Sequence, residues 1–139
     1  MNSYPLTLKN DHMFLELQSG PWLMDTGAPT SFGSESTASI EKTDFEIQSN
    51  YMGMDIDQIK DATDIDMVGL LGTDVLNKFD FLLDLPSETA TISSDEIEHV
   101  GSPLNLTEFM GIPIVTASIG EHEFQMFLDS GAQISYLQD

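Results

Sequence analysis

The chain alternates apolar and polar residues over two separate stretches, residues 5–33 and 113–137. In each stretch the pattern predicts an extended segment, a turn with glycine, a second strand, a tight turn that begins with aspartate, and a third strand. In the first stretch, residues 6–8 and 14–17 form a predicted hairpin that buries one face. The matching order of elements indicates an internal repeat.

The region between the two stretches predicts shorter elements. Residues 33–39 are rich in Ser, Gly, Glu and Thr and predict a surface loop, whereas residues 40–47 alternate weakly and predict a strand. Residues 54–66 mix apolar periods of two and three, and their aspartates do not match a calcium-binding loop. We therefore expect a solvated acidic edge there. Residues 81–85 and 90–92 predict a pair of closing strands.

Two aspartate turns are the main chemical feature of the sequence. Asp25-Thr26-Gly27-Ala28 follows the apolar residues 22–24, and Asp129-Ser130-Gly131-Ala132 follows the apolar residues 126–128. One such motif is weak evidence, because Asp, Ser, Thr and Gly fill ordinary turns. Two copies in matching contexts place a carboxylate at the end of each of two buried strands, which is an unusual position for an aspartate.

Together with Leu70-Leu71-Gly72 and the following Thr73-Asp74-Val75-Leu76, these turns resemble the aspartic proteases of the retropepsin and pepsin superfamily, in the form common among bacterial retropepsin-like domains. In that family an apolar-apolar-Gly segment threads beside the aspartate loop and opens a short helix. The resemblance implies an all-β fold, with a closed-barrel acid-protease lobe and one short helix near residues 73–79, where Thr73 can cap the helix.

The resemblance also implies the residues of the site. Asp25 and Asp129 are the implied catalytic pair, and two copies of Asp25 from dimerised first lobes are the alternative pair. The candidate flap, a hairpin that closes over substrate, is Tyr51-Met52-Gly53, although these residues also suit a core. The residues that would support the aspartate loops are Thr26, Gly27, Ala28, Ser130, Gly131, Ala132, Leu70, Leu71 and Gly72.

Two functions follow from this pattern. Paired aspartates can hydrolyse an amide, because an ionised carboxylate takes a proton from water while a protonated one donates to the carbonyl oxygen. The implied activity is therefore an aspartic endopeptidase with an extended polypeptide substrate and no cofactor or metal. The alternative is a catalytically silent module that keeps the fold and binds peptides or assembles with partners, including as a homodimer.

The expected organisation is a first lobe at residues 1–93, a linker at 94–110, and the N-terminal part of a second lobe at 111–139. The second repeat ends before any apolar-apolar-Gly segment. We expect a fragment of a two-lobe protein of roughly twice the length, because domains usually end after their core is complete. The alternatives are a tail that pairs with a partner subunit, and a tail that completes the sheet of the first lobe.

Charge and composition limit the classes of molecule that the chain can bind. The chain carries 24 acidic residues against four lysines, a net charge of −20, so nucleic acid and anionic membranes would be repelled. It has no cysteine and no apolar run long enough to span a membrane, and residues 1–10 lack the apolar core of a signal peptide. If residue 1 is the native start, we expect a cytoplasmic protein. His12, His99 and His122 lack metal-ligand spacing and are expected at the surface.

Overall fold

The computed structural model describes residues 1–137, and these residues are mainly β-structure. The strands are β1 Asn2–Lys9, β2 His12–Leu17, β3 Gly20–Met24, β4 Phe32–Gly33, β5 Thr37–Ile40, β6 Thr43–Glu46, β7 Asn50–Tyr51, β8 Met54–Asp55, β9 Gly69–Leu71, β10 Asp80–Asp84, β11 Thr89–Ser93, β12 Thr107–Phe109, β13 Ile112–Ile119 and β14 His122–Phe127. The helices are α1 Ile56–Thr63 and α2 Thr73–Leu76. The all-β expectation is confirmed at this level.

The largest sheet has seven strands in the order β10-β11-β1-β2-β3-β9-β4. Strand β9 pairs in parallel with β3 and antiparallel with β4. Across residues 1–137 the sheet is open, with β10 and β4 as its edges, so the expected closed barrel is not observed. Closure would require backbone hydrogen bonds between the two edge strands. Strand β4 has only two residues, Phe32 and Gly33, that could form them.

The central strands are buried on both faces. Leu15, Trp22 and Leu71 belong to one apolar cluster, whereas Leu23 and Leu70, their neighbours along the strands, belong to another. Successive side chains of a strand point to opposite faces, which explains the uninterrupted apolar runs before Asp25 and before Gly72. Each fully buried large apolar side chain stabilises the fold by roughly 1.5–3 kcal/mol.

The first hairpin forms as the alternation predicts, with Asn10 and Asp11 in its turn at positive φ. The prediction that His12 lies at the surface is wrong, because His12 is the first residue of β2 and its side chain is buried. Its Nδ1 has no hydrogen-bond partner among the described residues. His99 and His122 are exposed, as expected.

Residues 33–47 form two strands rather than a loop followed by one strand. Strands β5 and β6 pair as a hairpin whose turn holds Glu41 and Lys42, both at positive φ. The surface-loop prediction for residues 33–39 is therefore wrong over residues 37–39, which belong to β5 and place Ala38 in the core.

The aspartates of residues 54–66 are exposed, as expected for a solvated acidic edge, but Ile56–Thr63 form helix α1, which was not predicted. Its N-cap is Asp55, whose carboxylate accepts from the Gln58 backbone N–H (3.1 Å) while the Gln58 side chain accepts from the Asp55 backbone (2.9 Å). Helix α2 begins at Thr73 as expected, but its N-cap is Gly72, and the Thr73 hydroxyl donates to the Met110 carbonyl instead. Neither described helix is long and apolar enough to span a membrane.

The second repeat forms its own three-stranded sheet in the order β12-β13-β14. It does not complete the sheet of the first lobe, so that alternative is wrong for the described chain. Strand β12 begins at Thr107, within residues 94–110, which were expected to form the linker. The domain boundaries at residues 93 and 110 stay a prediction. Residues 138 and 139 of the predicted second lobe lie outside the described residues.

Candidate active site

Asp25 follows β3 directly, Asp129 follows β14 after Leu128, and each aspartate closes its own turn. The Asp25 carboxylate accepts from the Gly27 N–H at 2.9 Å, and the Asp129 carboxylate accepts from the Gly131 N–H at 2.9 Å. The Ala132 N–H donates to the Asp129 carbonyl at 3.2 Å, and the equivalent alanine of the first loop does the same. A side-chain oxygen that accepts from the backbone two residues on is the usual Asp turn, so the two motifs fold alike.

The two aspartate loops are hydrogen-bonded to each other in a reciprocal pattern. The Thr26 N–H donates to the Ser130 hydroxyl at 3.0 Å, and the Ser130 N–H donates to the Thr26 hydroxyl at 2.9 Å. Each hydroxyl then donates to a backbone carbonyl of the opposite repeat, Ser130 to Met24 and Thr26 to Leu128. A hydroxyl can accept and donate at once, so Ser or Thr at this position joins the repeats.

This pairing brings the two carboxyl groups together within one chain. A methyl group at Gly27 would overlap the Asp129 carboxyl, and a methyl group at Gly131 would overlap the Asp25 carboxyl. Each glycine is therefore the space in which the aspartate of the other repeat sits. The structure places Asp25 opposite Asp129, and the alternative pairing of two Asp25 residues is not needed to assemble two carboxylates.

The environment of the pair raises the pKa of Asp25 from 3.8 to about 6. Burial of the carboxyl is the largest cause, because it disfavours the charged form, and repulsion from the Asp129 carboxylate comes second. The hydrogen bond from the Gly27 N–H acts in the opposite direction. Asp25 is half-buried and Asp129 is exposed, so the site joins two carboxyl groups in unequal surroundings.

The apolar-apolar-Gly segment holds the first loop in place. Leu70 and Leu71 are buried, and the Leu71 carbonyl accepts from the Asp25 N–H at 3.0 Å. A Cβ at Gly72 would lie 2.6 Å from the Ala28 carbonyl oxygen, so only glycine allows this approach. The loop-support residues of the first repeat therefore surround Asp25 as the resemblance implies.

Two further residues complete this support, and the sequence interpretation missed them. Ser31 donates its backbone N–H (3.0 Å) and its hydroxyl (2.6 Å) to the Asp74 carboxylate, and its hydroxyl accepts from the Gly72 N–H at 2.8 Å. Asp74 therefore connects the start of α2 to the chain that leaves the Asp25 loop. The signal was the acidic residue two positions after Leu70-Leu71-Gly72, within the motif that carried the resemblance.

The candidate flap forms a short hairpin. Strands β7 and β8 pair through Tyr51 and Met54, with Met52 and Gly53 at the tip, both at positive φ. Met52 is 87 % exposed, whereas Tyr51 packs against the apolar cluster that contains Phe14 and Leu23. Tyr51 thus serves the core at least in part.

A cavity of about 620 Å³ lies beside Asp129. It is bounded on one side by β14 and on the other by residues 132–137, with Gly27 at its rim. Among the described residues that line the cavity, none belongs to the β7–β8 hairpin. The cavity is therefore formed mainly by the second repeat.

No protein-family model, no curated protein and no solved structure matches the chain.

Proposed function

We propose that the protein is an aspartic endopeptidase with the acid-protease fold, in which Asp25 and Asp129 activate a water molecule. The observation that carries this proposal is the reciprocal hydrogen bonding between Thr26 and Ser130. It joins two repeats far apart in sequence so that their aspartates face each other. Two turns that served only local structure would have no need of this pairing.

The unequal surroundings of the pair assign the two roles. Asp25, with its pKa raised to about 6, keeps its proton in mildly acidic solution and donates it to the carbonyl oxygen of the scissile amide. Asp129 is the more exposed carboxylate and accepts a proton from the attacking water. No cofactor enters this chemistry.

The substrate of this proposal is an extended polypeptide. A strand-like segment can add its backbone hydrogen bonds to open strand edges beside the site. The β7–β8 hairpin is the element of the first repeat suited to close over such a segment. Its exposed Met52 and positive-φ Gly53 allow the tip to contact a bound chain.

Cleavage of an unstructured protein by the full chain, followed across pH with and without pepstatin, tests the proposal. Asp25→Asn and Asp129→Asn should each reduce the rate by at least a thousandfold without loss of the folded state. Asp61→Asn, an exposed aspartate on α1, is the matched control and should retain the rate. Loss with Asp25→Asn alone would instead indicate a symmetric pair of Asp25 residues from two chains.

A catalytically silent peptide-binding module is the second candidate. The exposure of Asp129 favours it, because water exclusion strengthens catalytic electrostatics and an open site lacks it. In this case the folded protein would bind extended peptides without pepstatin-sensitive cleavage at any pH. Binding that survives both aspartate substitutions would separate this function from the peptidase.

A further inference from the structure

The internal repeat extends beyond the aspartate turns. With the offset of 104 residues that relates Thr26 to Ser130, Ser31 corresponds to Ser135 and Phe32 to Tyr136. The strands correspond too, because β1-β2-β3 and β12-β13-β14 are both antiparallel and both lead into an aspartate turn. The first repeat is therefore an internal template for the second.

In the first repeat, β9 fills the gap between β3 and β4. Leu70 lies opposite Leu23 on one side and Phe32 on the other. The Leu71 carbonyl accepts from Asp25 N–H, and Asp74 accepts from both donors of Ser31. One segment of sequence Leu-Leu-Gly-Thr-Asp therefore supplies the inserted strand, the carbonyl at the aspartate loop and the carboxylate partner of the serine.

No strand of the described chain fills the equivalent gap in the second repeat. The 620 Å³ cavity lies between β14 and residues 132–137, which correspond to β3 and to the chain leading into β4. Leu23 is 3 % exposed but its counterpart Phe127 is 55 % exposed, and Phe32 is 3 % exposed but its counterpart Tyr136 is 75 % exposed. Within residues 1–137 no strand pairs with the outer edge of β14.

We propose that this gap is a docking site for an extended polypeptide strand of the pattern Leu-Leu-Gly-x-Asp, bound parallel to β14. Its leucines would cover Phe127 and Tyr136, its backbone would pair with β14, and its aspartate would accept from Ser135. This docked strand would have the same residue pattern as β9 and the start of α2, and it would make the same contacts that they make in the first repeat. The site is inferred from the geometry of the repeat, so the proposal remains if the peptidase proposal fails.

A labelled peptide with the sequence of residues 67–78, which includes β9 and Asp74, tests this site on the full chain. Fluorescence anisotropy should show saturable one-to-one binding. The same peptide with its Asp74 replaced by asparagine should bind about tenfold more weakly, since hydrogen bonds to a charged group are the stronger kind. Ser135→Ala in the protein should weaken the original peptide to a similar extent and should remove the difference between the two peptides.

Two substitutions at exposed apolar positions locate the contact. Phe127→Asp should abolish binding, whereas Ile119→Asp, at the far end of the same sheet, should leave it within twofold. Hydrogen exchange should show new protection at residues 125–129 and 135–137 when peptide binds. Protection confined to the first repeat would overturn the proposal, because the peptide would then be replacing β9.

Two other outcomes would also overturn it. A scrambled peptide of the same composition that binds equally well would show that the face is merely adhesive. Concentration-dependent dimerisation of the chain without peptide, removed by Phe127→Asp, would show that a second copy covers β14 instead.

Discussion

At the residue scale, the site depends on small groups that perform two tasks at once. The hydroxyls of Thr26 and Ser130 accept from the opposite loop and donate to the opposite strand end. Gly27 and Gly131 leave the volume that the opposite carboxyl occupies. Each position of the Asp-[Ser/Thr]-Gly motif is therefore explained by a contact with the other repeat, and none by its own turn alone.

The raised pKa of Asp25 also makes the stability of the folded state depend on pH. The folded state holds the Asp25 proton up to about pH 6 and the unfolded chain loses it near 3.8. Ionisation therefore favours unfolding, and the contribution of Asp25 to stability falls as pH rises through this window. We expect Asp25→Asn, which cannot ionise, to be more stable than the parent chain at pH 7 by up to about 3 kcal/mol, with the advantage lost below pH 4.

Urea unfolding of both proteins at pH 4 and pH 7 measures this difference. Asp61→Asn is the control, since it makes the same substitution at an exposed carboxyl on α1. An advantage of Asp25→Asn that is the same at both pH values would contradict the burial of an ionisable Asp25.

Residues of the candidate site were predictable to different degrees. Asp25 and Asp129 could be found because a carboxylate directly after an apolar run is unusual and occurs twice. Ser31 was missed, because its role depends on a hydrogen bond to Asp74, 43 residues away. His12 was misplaced because its turn-like neighbours Asn10 and Asp11 concealed the start of a buried strand.

At the element scale, strands with strict alternation were predictable and the acidic helix was not. The aspartates of residues 54–66 obscured the helical spacing of Ile56 and Ile59, which pack against one apolar cluster. A signal was nevertheless present, since an N-cap residue followed three positions later by glutamine marks a helix start. Asp55 and Gln58 form that capping box.

The capping box gives a prediction for α1. Asp55→Ala removes the acceptor for the Gln58 N–H and should destabilise the fold by about 1 kcal/mol. Chemical denaturation at constant pH measures the loss. Asp61→Ala removes a similar charge from the same helix without touching the cap and should change stability by less than half as much. Equal effects would mean that charge, and not capping, stabilises α1.

At the scale of the whole molecule, two repeats of similar pattern have different environments. The first is completed by β9 and buries its strands on both faces, and the second leaves β14 open within residues 1–137. The internal repeat was predictable because alternation and turn chemistry are local. The open sheet was not, because closure depends on whether β4 and β10, far apart in sequence, meet.

The last prediction concerns the pH dependence of cleavage, which belongs to the carboxyl pair and to the field of the whole chain. If the proposed peptidase acts with Asp25 protonated and Asp129 ionised, the rate should be bell-shaped, with its basic limb near pH 6, where Asp25 loses its proton. The net charge of −20 creates a negative field that favours the protonated form of the Asp25 carboxyl, and salt screens this field. Higher ionic strength should therefore move the basic limb to lower pH.

Rate profiles at 0.05 M and 1 M sodium chloride measure the displacement, with the folded fraction checked at each pH. A basic limb that moves to higher pH with salt would contradict the assignment of that limb to a carboxyl in a negative field.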